Sequence, residues 1–237
     1  MLREFRDTLQ QGIAYAGWQM EQEDMLNRCA RFFQMLLSYN ETRNLTAITD
    51  EKEAAQKHFL DSLSVVPYIK RGACVIDVGA GAGFPAVPLL LARPDVSVCM
   101  LDSSNKKVAF LNDVIQELHI PNAKALWARA EDAGKLPHMR ASFDAALARA
   151  VAQLPVLLEY MLPFVKTGGD ALALKGPSAF EEAKQAQHAL QRLNARLESI
   201  DHTPLQGLEH YIVHCKKTGP TPAQFPRRAG QPKKSPL

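Results

Sequence analysis

The spacing of apolar positions changes near residue 72. Before it, Met25-Leu26, Cys29-Ala30, Phe32-Phe33 and Leu36-Leu37 recur at helical intervals, which predicts an amphipathic helix. A second helix is expected over 51–69, with Asp50 placed as its N-cap. From Ala73 onward, short β-branched runs alternate with helical stretches, the pattern of a mostly parallel α/β sheet. Strands are expected at 74–79, 97–102, 123–128, 143–148 and 169–175, and helices at 86–92, 105–118, 153–164 and 178–197. Two more strands, 198–203 and 209–217, follow without an intervening helix and should form an antiparallel hairpin through 204–207. Five prolines after Gly219 make the remaining tail irregular.

The most informative stretch is Val75-Ile-Asp-Val-Gly-Ala-Gly-Ala-Gly-Phe84, a buried strand running into a glycine-rich turn and then a helix. Glycine takes positive φ and lets a ligand approach the backbone, so the turn should deliver a nucleotide-like ligand to the strand's end. A dinucleotide fingerprint needs a third glycine where this chain has Phe84, and Pro85 removes an N–H that a phosphate would want. S-adenosylmethionine (SAM) has no phosphate and escapes both objections. Asp102, 23 residues after Gly79 at the end of the next strand, is placed to accept hydrogen bonds from ribose hydroxyls. Five parallel strands closed by an antiparallel pair is the seven-stranded, Rossmann-like arrangement of class I SAM-dependent methyltransferases.

At 237 residues the chain can bury a large core without staples. Its four cysteines show no C-x-x-C spacing, its seven histidines form no ligand cluster with carboxylates, and no metal site is expected. The N-terminus does not read as a signal peptide and no apolar run is long enough for a membrane helix, so a cytoplasmic protein is expected. Net charge is only +3, yet residues 210–237 hold six Lys or Arg and no acid, which favours a polyanionic partner.

Several motifs together resemble one family, the bacterial 16S ribosomal RNA guanine-N7 methyltransferases, also called glucose-inhibited division protein B. They are Asn40-Glu-Thr-Arg-Asn-Leu-Thr46, His58-Phe-Leu-Asp-Ser62, the glycine turn through Pro85, and Asp102-Ser-Ser-Asn-Lys-Lys107 with Phe110-Leu111. Further on are Arg129-Ala-Glu131, Phe143-Asp-Ala-Ala-Leu-Ala-Arg-Ala150, Leu174-Lys-Gly176 and the basic tail from Pro226. Ala86 departs from the glycine the family often carries there. The resemblance implies SAM contacts at Gly79, Phe84, Ala130, Glu131 and Arg149, beside the ribose acid Asp102. The residue pattern divides the chain into an expected helical extension over 1–71, a SAM-binding domain over 72–218 and a basic Pro-rich tail over 219–237. Lys175, Arg227, Arg228, Lys233 and Lys234 are the expected RNA contacts, with Lys106 and Lys107 near the turn, and the tail basics should bind phosphate rather than read sequence. Asn40 and Asn44 are either part of the site or a helix cap and turn. The implied partner is 16S rRNA, in the small subunit or an assembly intermediate, and nothing requires a dimer.

Guanine N7 is an exposed lone pair that attacks without first losing a proton, so proximity and orientation can carry the transfer. No general base stands out in the sequence. No Asp/Asn-Pro-Pro-Tyr follows the fourth strand, where Arg149-Ala-Val-Ala-Gln153 stands, and no Pro-Cys nucleophile is present. Two other classes remain. An NAD-dependent oxidoreductase lacks its third glycine and a Tyr-x-x-x-Lys here. A non-catalytic RNA-binding or assembly module would have no need of the intact turn and Asp102.

Overall fold

The computed structural model describes residues 2–20, 23–205 and 207–237, so Gln206, within the expected 204–207 connection, lies outside it. The chain opens with α1 (Arg3–Tyr15) and α2 (Glu23–Arg43). Phe5, Leu9 and Ile13 recur every four residues on α1 and are all buried, as is the apolar stripe of α2 except the half-buried Leu37. The expected helix over 51–69 is more broken. It comprises α3 (Glu51–Ala54), a π-helical turn (Ala55–Leu60), α4 (Asp61–Leu63) and, around Pro67, a 3-10 turn (Val66–Tyr68). Asp50 does cap its start, accepting the Glu53 N–H at 2.8 Å.

The alternating region runs β1 (Cys74–Val78), α5 (Ala86–Ala92), β2 (Ser97–Asp102), α6 (Asn105–Glu117), β3 (Ala123–Trp127), α7 (Ala130–Ala133), β4 (Phe143–Arg149), α8 (Leu154–Met161) and β5 (Val165–Lys175). Then come α9 (Ala179–Gln185), α10 (Gln187–Arg192), β6 (Ala195–His202), β7 (Tyr211–Lys217) and α11 (Gln231–Lys234). The seven strands lie in the order β3-β2-β1-β4-β5-β7-β6. β1 to β5 are parallel, and β7 inserts antiparallel between β5 and β6. Two boundaries differ instructively from the sequence reading. Gly168 (φ 81°) looks like a strand break, but β5 absorbs it as a bulge in which Phe143 pairs Val165 and Ala145 pairs Asp170. The expected helix over 178–197 splits at Ala186 and gives way at Asn194 (φ 53°), so β6 begins three residues earlier than the pattern suggested.

The central strands are buried on both faces, so neighbouring residues feed opposite cores. Val75 joins the core shared with α1, α2, α5 and α6, while Ile76 and Val78 join the one under α8 to α10. The N-terminal helices and the sheet therefore share one continuous apolar core. Among the described residues no helix is long and apolar enough to cross a membrane.

The basic tail lies against this body. Glu159 on α8 is fully buried, and the Arg227 backbone N–H (2.8 Å), Nε (2.9 Å) and Nη2 (2.5 Å) all donate to its carboxylate. Arg140 donates to the carbonyls of Thr221 and Phe225, at 2.7 and 2.8 Å. Lys217, 1% exposed, donates to the carbonyls of Leu162 and Val165, and burial pulls its ammonium down to about 8. Lys217 is thus structural, and Arg227 sits in an ion pair rather than on an open surface. Arg228, Lys233 and Lys234 are exposed. Removing one partner of a buried ion pair leaves an uncompensated charge. Arg227→Ala should therefore cost about 3 kcal/mol in denaturant unfolding, whereas Arg228→Ala should cost almost nothing.

Candidate active site

The glycine turn leaves β1 at Val78 and takes left-handed backbone at Gly79, Gly81 and Gly83 (φ 77°, 59° and 95°). The N–H groups of Gly79 and Ala80 both donate to the Leu101 carbonyl, at 2.8 and 3.0 Å. Asp102 locks the same turn from the end of β2. Its Oδ2 accepts from Gly81 N at 2.9 Å and its Oδ1 from Ser104 N at 2.8 Å. A Cβ at Gly79 would come within 2.6 Å of Val151 Cγ2, so this position excludes any side chain twice over, by clash and by φ.

Gly79, Asp102, Ala130 and Glu131 converge on one cavity of about 140 Å³, closed by Val151 and Tyr160. It lies at the carboxyl ends of β1 and β2, where open α/β sheets bind ligands. Glu131 is 5% exposed, and its Oε1 accepts the Gly230 N–H at 2.8 Å, so the tail forms part of the surroundings of this pocket.

Arg149 belongs to a second cavity of about 440 Å³, lined also by Lys57, His58, Asp61, Lys175 and His210. Its Nη1 donates to the Lys57 carbonyl (2.8 Å) and Asp61 Oδ2 (3.1 Å), and its Nη2 donates to His58 Nδ1 (3.1 Å). Lys57 and His58 sit on the π-helical turn, whose irregular ladder lets a main-chain carbonyl face Arg149. The guanidinium also lies 5.0 Å from the Phe84 ring centroid. Phe84 is 4% exposed; its ring stacks on His58 at 4.6 Å and packs against Phe32 and Phe59. The resemblance implied a SAM contact at Phe84, and the structure gives its ring to the junction between glycine turn and N-terminal helices.

Burial and the charge of Arg149 push the His58 imidazole down to about 4, so it is neutral near pH 7. Arginine only donates, so Nδ1 must accept, and the proton sits on Nε2, which donates to Thr46 Oγ1 at 2.8 Å. Asn40 builds the loop behind it, its Oδ1 accepting from the N–H groups of Leu45 (2.6 Å) and Thr46 (2.9 Å). Asn44 supplies the left-handed turn between them (φ 48°). Asp61, 2% exposed, completes the cluster by accepting from His210 Nδ1 at 2.9 Å.

Sequence reasoning did not single out Asp61, His58, His210, Glu182 or Tyr160. His58 and Asp61 stand in a motif quoted above, but helical spacing alone marks them as surface or core. The turn Arg149-Ala150-Val151 divides the two cavities, with Arg149 and Ala150 facing one and Val151 the other. Ala150 is left-handed there (φ 54°). Asp77 lies beneath the turn, fully buried, its Oδ2 accepting from Ala86 N at 3.3 Å. Among the described residues its Oδ1 is the buried side-chain polar atom without a partner, and burial raises its carboxyl to about 7. An orphan acceptor beside a glycine turn fits a cofactor that carries an ammonium group, as the methionine end of SAM does.

The strand order and an acid at the end of β2 gripping a glycine turn define a class I, SAM-dependent methyltransferase fold. It is similar to a SAM-dependent methyltransferase from Aquifex aeolicus (TM-score 0.53, 18% identity, 70% of this chain and 93% of that one). Fibrillarin of Aeropyrum pernix, solved with SAM bound, gives a TM-score of 0.50 at 14% identity over 62% of this chain and 67% of that one. The profile of one family, described as GidB, rRNA small subunit methyltransferase G, matches residues 25–210, and the chain belongs to that family. A relative from Pelotomaculum thermopropionicum, named ribosomal RNA small subunit methyltransferase G, is 43% identical over 98% of each chain. One of the same name from Thermoanaerobacter pseudethanolicus is 45% identical over 87% of this chain and 88% of its own.

Gly79→Ala should abolish detectable SAM binding in calorimetry while circular dichroism shows a folded protein; unchanged affinity would refute the placing of the cofactor on this turn. At Gly81 an added Cβ would meet nothing nearer than Gly79 O at 3.8 Å, yet Gly81→Val should also lose SAM through its φ of 59°. His58 gives a pH signature. Between pH 6.5 and about 4 the unfolded histidine binds a proton that the folded one refuses. Its contribution to stability is therefore lost as pH falls through that window. Urea unfolding of wild type should weaken more steeply from pH 7 to 4.5 than that of His58→Asn.

Proposed function

We propose that this protein transfers the methyl group of SAM to N7 of one guanosine in the 16S rRNA of the small ribosomal subunit. The observation that carries the reading is the state of the acids around the larger cavity. Asp61 is held by Arg149 and His210, and Glu182 by Lys175, so neither carboxylate stands as an unpaired base, although Glu182 Oε1 keeps one lone pair for a hydrogen bond. An acceptor atom that must first be deprotonated would need a free base in that place. Guanine N7 needs none, because its lone pair attacks directly. The names of the relatives point to small-subunit rRNA and the resemblance to N7.

SAM supplies an electrophilic methyl group; the chain's task is to hold donor and base in line. In this reading Asp102 accepts from the ribose hydroxyls and the Ala130–Glu131 pair holds the adenine. Gly79 lets the cofactor pass close to the backbone, and Asp77 Oδ1 takes the ammonium, directly or through water. Arg149 uses three of its five N–H groups on Lys57, Asp61 and His58, and the other two remain for the methionine carboxylate. Phe84 keeps that arginine in place from below. The base enters the larger cavity with its N7 toward the Arg149–Val151 turn. Exposed Arg228, Lys233 and Lys234 contact phosphates and add affinity without reading sequence. Lys175 is the RNA contact inside the cavity, and Arg227 acts by holding the tail. The protein works as a cytoplasmic monomer.

Labelled SAM and small subunits lacking the modification test the reading, with N7-sensitive strand cleavage mapping the label. One labelled guanosine is expected. Label on an amino group, a carbon or a ribose hydroxyl would overturn the N7 assignment.

A further inference from the structure

Lys175 ends β5 and Glu182 lies one turn into α9, and both face the larger cavity. Lys175 Nζ lies 2.6 Å from Glu182 Oε2, with side chains only 9% and 13% exposed. The rest of each group's partners fix the pair in one orientation. Nζ also donates to the Ala152 carbonyl at 2.6 Å. Glu182 Oε2 accepts from Leu154 N at 2.8 Å, and its Oε1 accepts from Ser178 Oγ at 2.8 Å. Burial pushes the Glu182 carboxyl up, but hydrogen bonds from Lys175 and Ser178 outweigh it and hold it ionised, below the usual range.

An ammonium has three N–H donors and a carboxylate oxygen two lone pairs. Two of the Nζ donors are used, and one lone pair of Oε1 is used. One donor on Nζ and one acceptor site on Oε1 therefore remain, on two paired side chains that both line the cavity. A pair of largely buried charges adds little net stability over apolar packing, so the fold alone does not call for it there.

We infer that Lys175 and Glu182 read the guanine edge, Lys175 donating to O6 and Glu182 accepting from N1–H. The inference rests on the N7 reading above and names what selects the base. Guanine offers an acceptor beside a donor on this edge. Adenine offers the reverse, an amino donor at position 6 beside an acceptor at N1, and would face donor with donor and acceptor with acceptor. Grip on O6 and N1–H also leaves N7 free, as the reacting atom must be. The 2-amino group is not part of the contact.

The test uses small subunits reconstituted with 16S RNA that carries guanosine, inosine or 2-aminopurine at the methylated position. Each rate is divided by that base's own N7 reactivity toward dimethyl sulfate. Inosine keeps O6 and N1–H and lacks the 2-amino group; 2-aminopurine keeps the amino group and lacks both contacts. With wild-type protein, inosine should match guanosine within about threefold, and 2-aminopurine should fall about 10- to 100-fold. Glu182→Gln should lower kcat/KM on guanosine by a similar factor, with SAM affinity unchanged, and should narrow the gap between guanosine and 2-aminopurine. Methylation of 2-aminopurine at the guanosine rate by wild type would overturn the inference, and so would failure of inosine. Failure of wild type on guanosine itself would remove the N7 reading and this inference with it, which keeps the two failures apart.

Discussion

The side chain of Arg149 is the point on which the two halves of the molecule agree. It leaves the end of β4 and meets a π-helical carbonyl, the nearly buried Asp61 and the unprotonated nitrogen of His58. A guanidinium taken this far from water costs several kcal/mol unless its donors find partners, and here the partners all come from the N-terminal helices. The sheet's carboxyl edge and those helices must therefore fold as one unit. Phe84 carries the same constraint into the glycine turn, since its ring stacks on His58 and lies under the guanidinium. Displacement of the helices would disturb the turn through that ring.

The two cavities follow from this arrangement. The smaller is made by the glycine turn, the strand ends, the start of α7 and Tyr160 of α8, and its shape comes from left-handed glycines and from Asp102 gripping Gly81. The larger needs contributions from both halves, with Lys57, His58 and Asp61 from one side and Arg149, Lys175 and His210 from the other. A bare methyltransferase fold would have the first and lack much of the second. The N-terminal helices thus supply one wall of the larger cavity, and Asn40 reaches that wall indirectly, through the loop that seats Thr46 on His58.

The strands themselves, the mostly parallel sheet and the convergence of Gly79, Asp102, Ala130 and Glu131 were legible because each depends on local pattern: β-branched runs, glycines at set offsets, an acid at a strand end. What the sequence could not show depends on distant pairing. Nothing local marks Glu159 as the anchor of Arg227, 68 residues away, or Asp61 as the partner of His210, 149 residues away. The π turn within 51–69 has no compositional signature, since its residues fit an ordinary helix. A run of tail cations reads as a free basic arm until the buried acid that claims one of them is seen. Phe84 shows a related limit, because nothing local announces that its ring packs on His58 and the N-terminal helices.

The contact between Gly230 and Glu131 joins positions 99 residues apart, and that between Arg227 and Glu159 joins positions 68 apart. Synthesis runs from N- to C-terminus, and domains begin to form before it ends. The glycine turn, Asp102 and the sheet strands through β5 all emerge before either tail contact can be made. Until the tail is made, Glu159 lacks its counter-charge and Glu131 lacks its Gly230 partner. A chain cut short before residue 227 would keep the sequence of every sheet strand while lacking both the counter-charge of Glu159 and the Gly230 partner of Glu131.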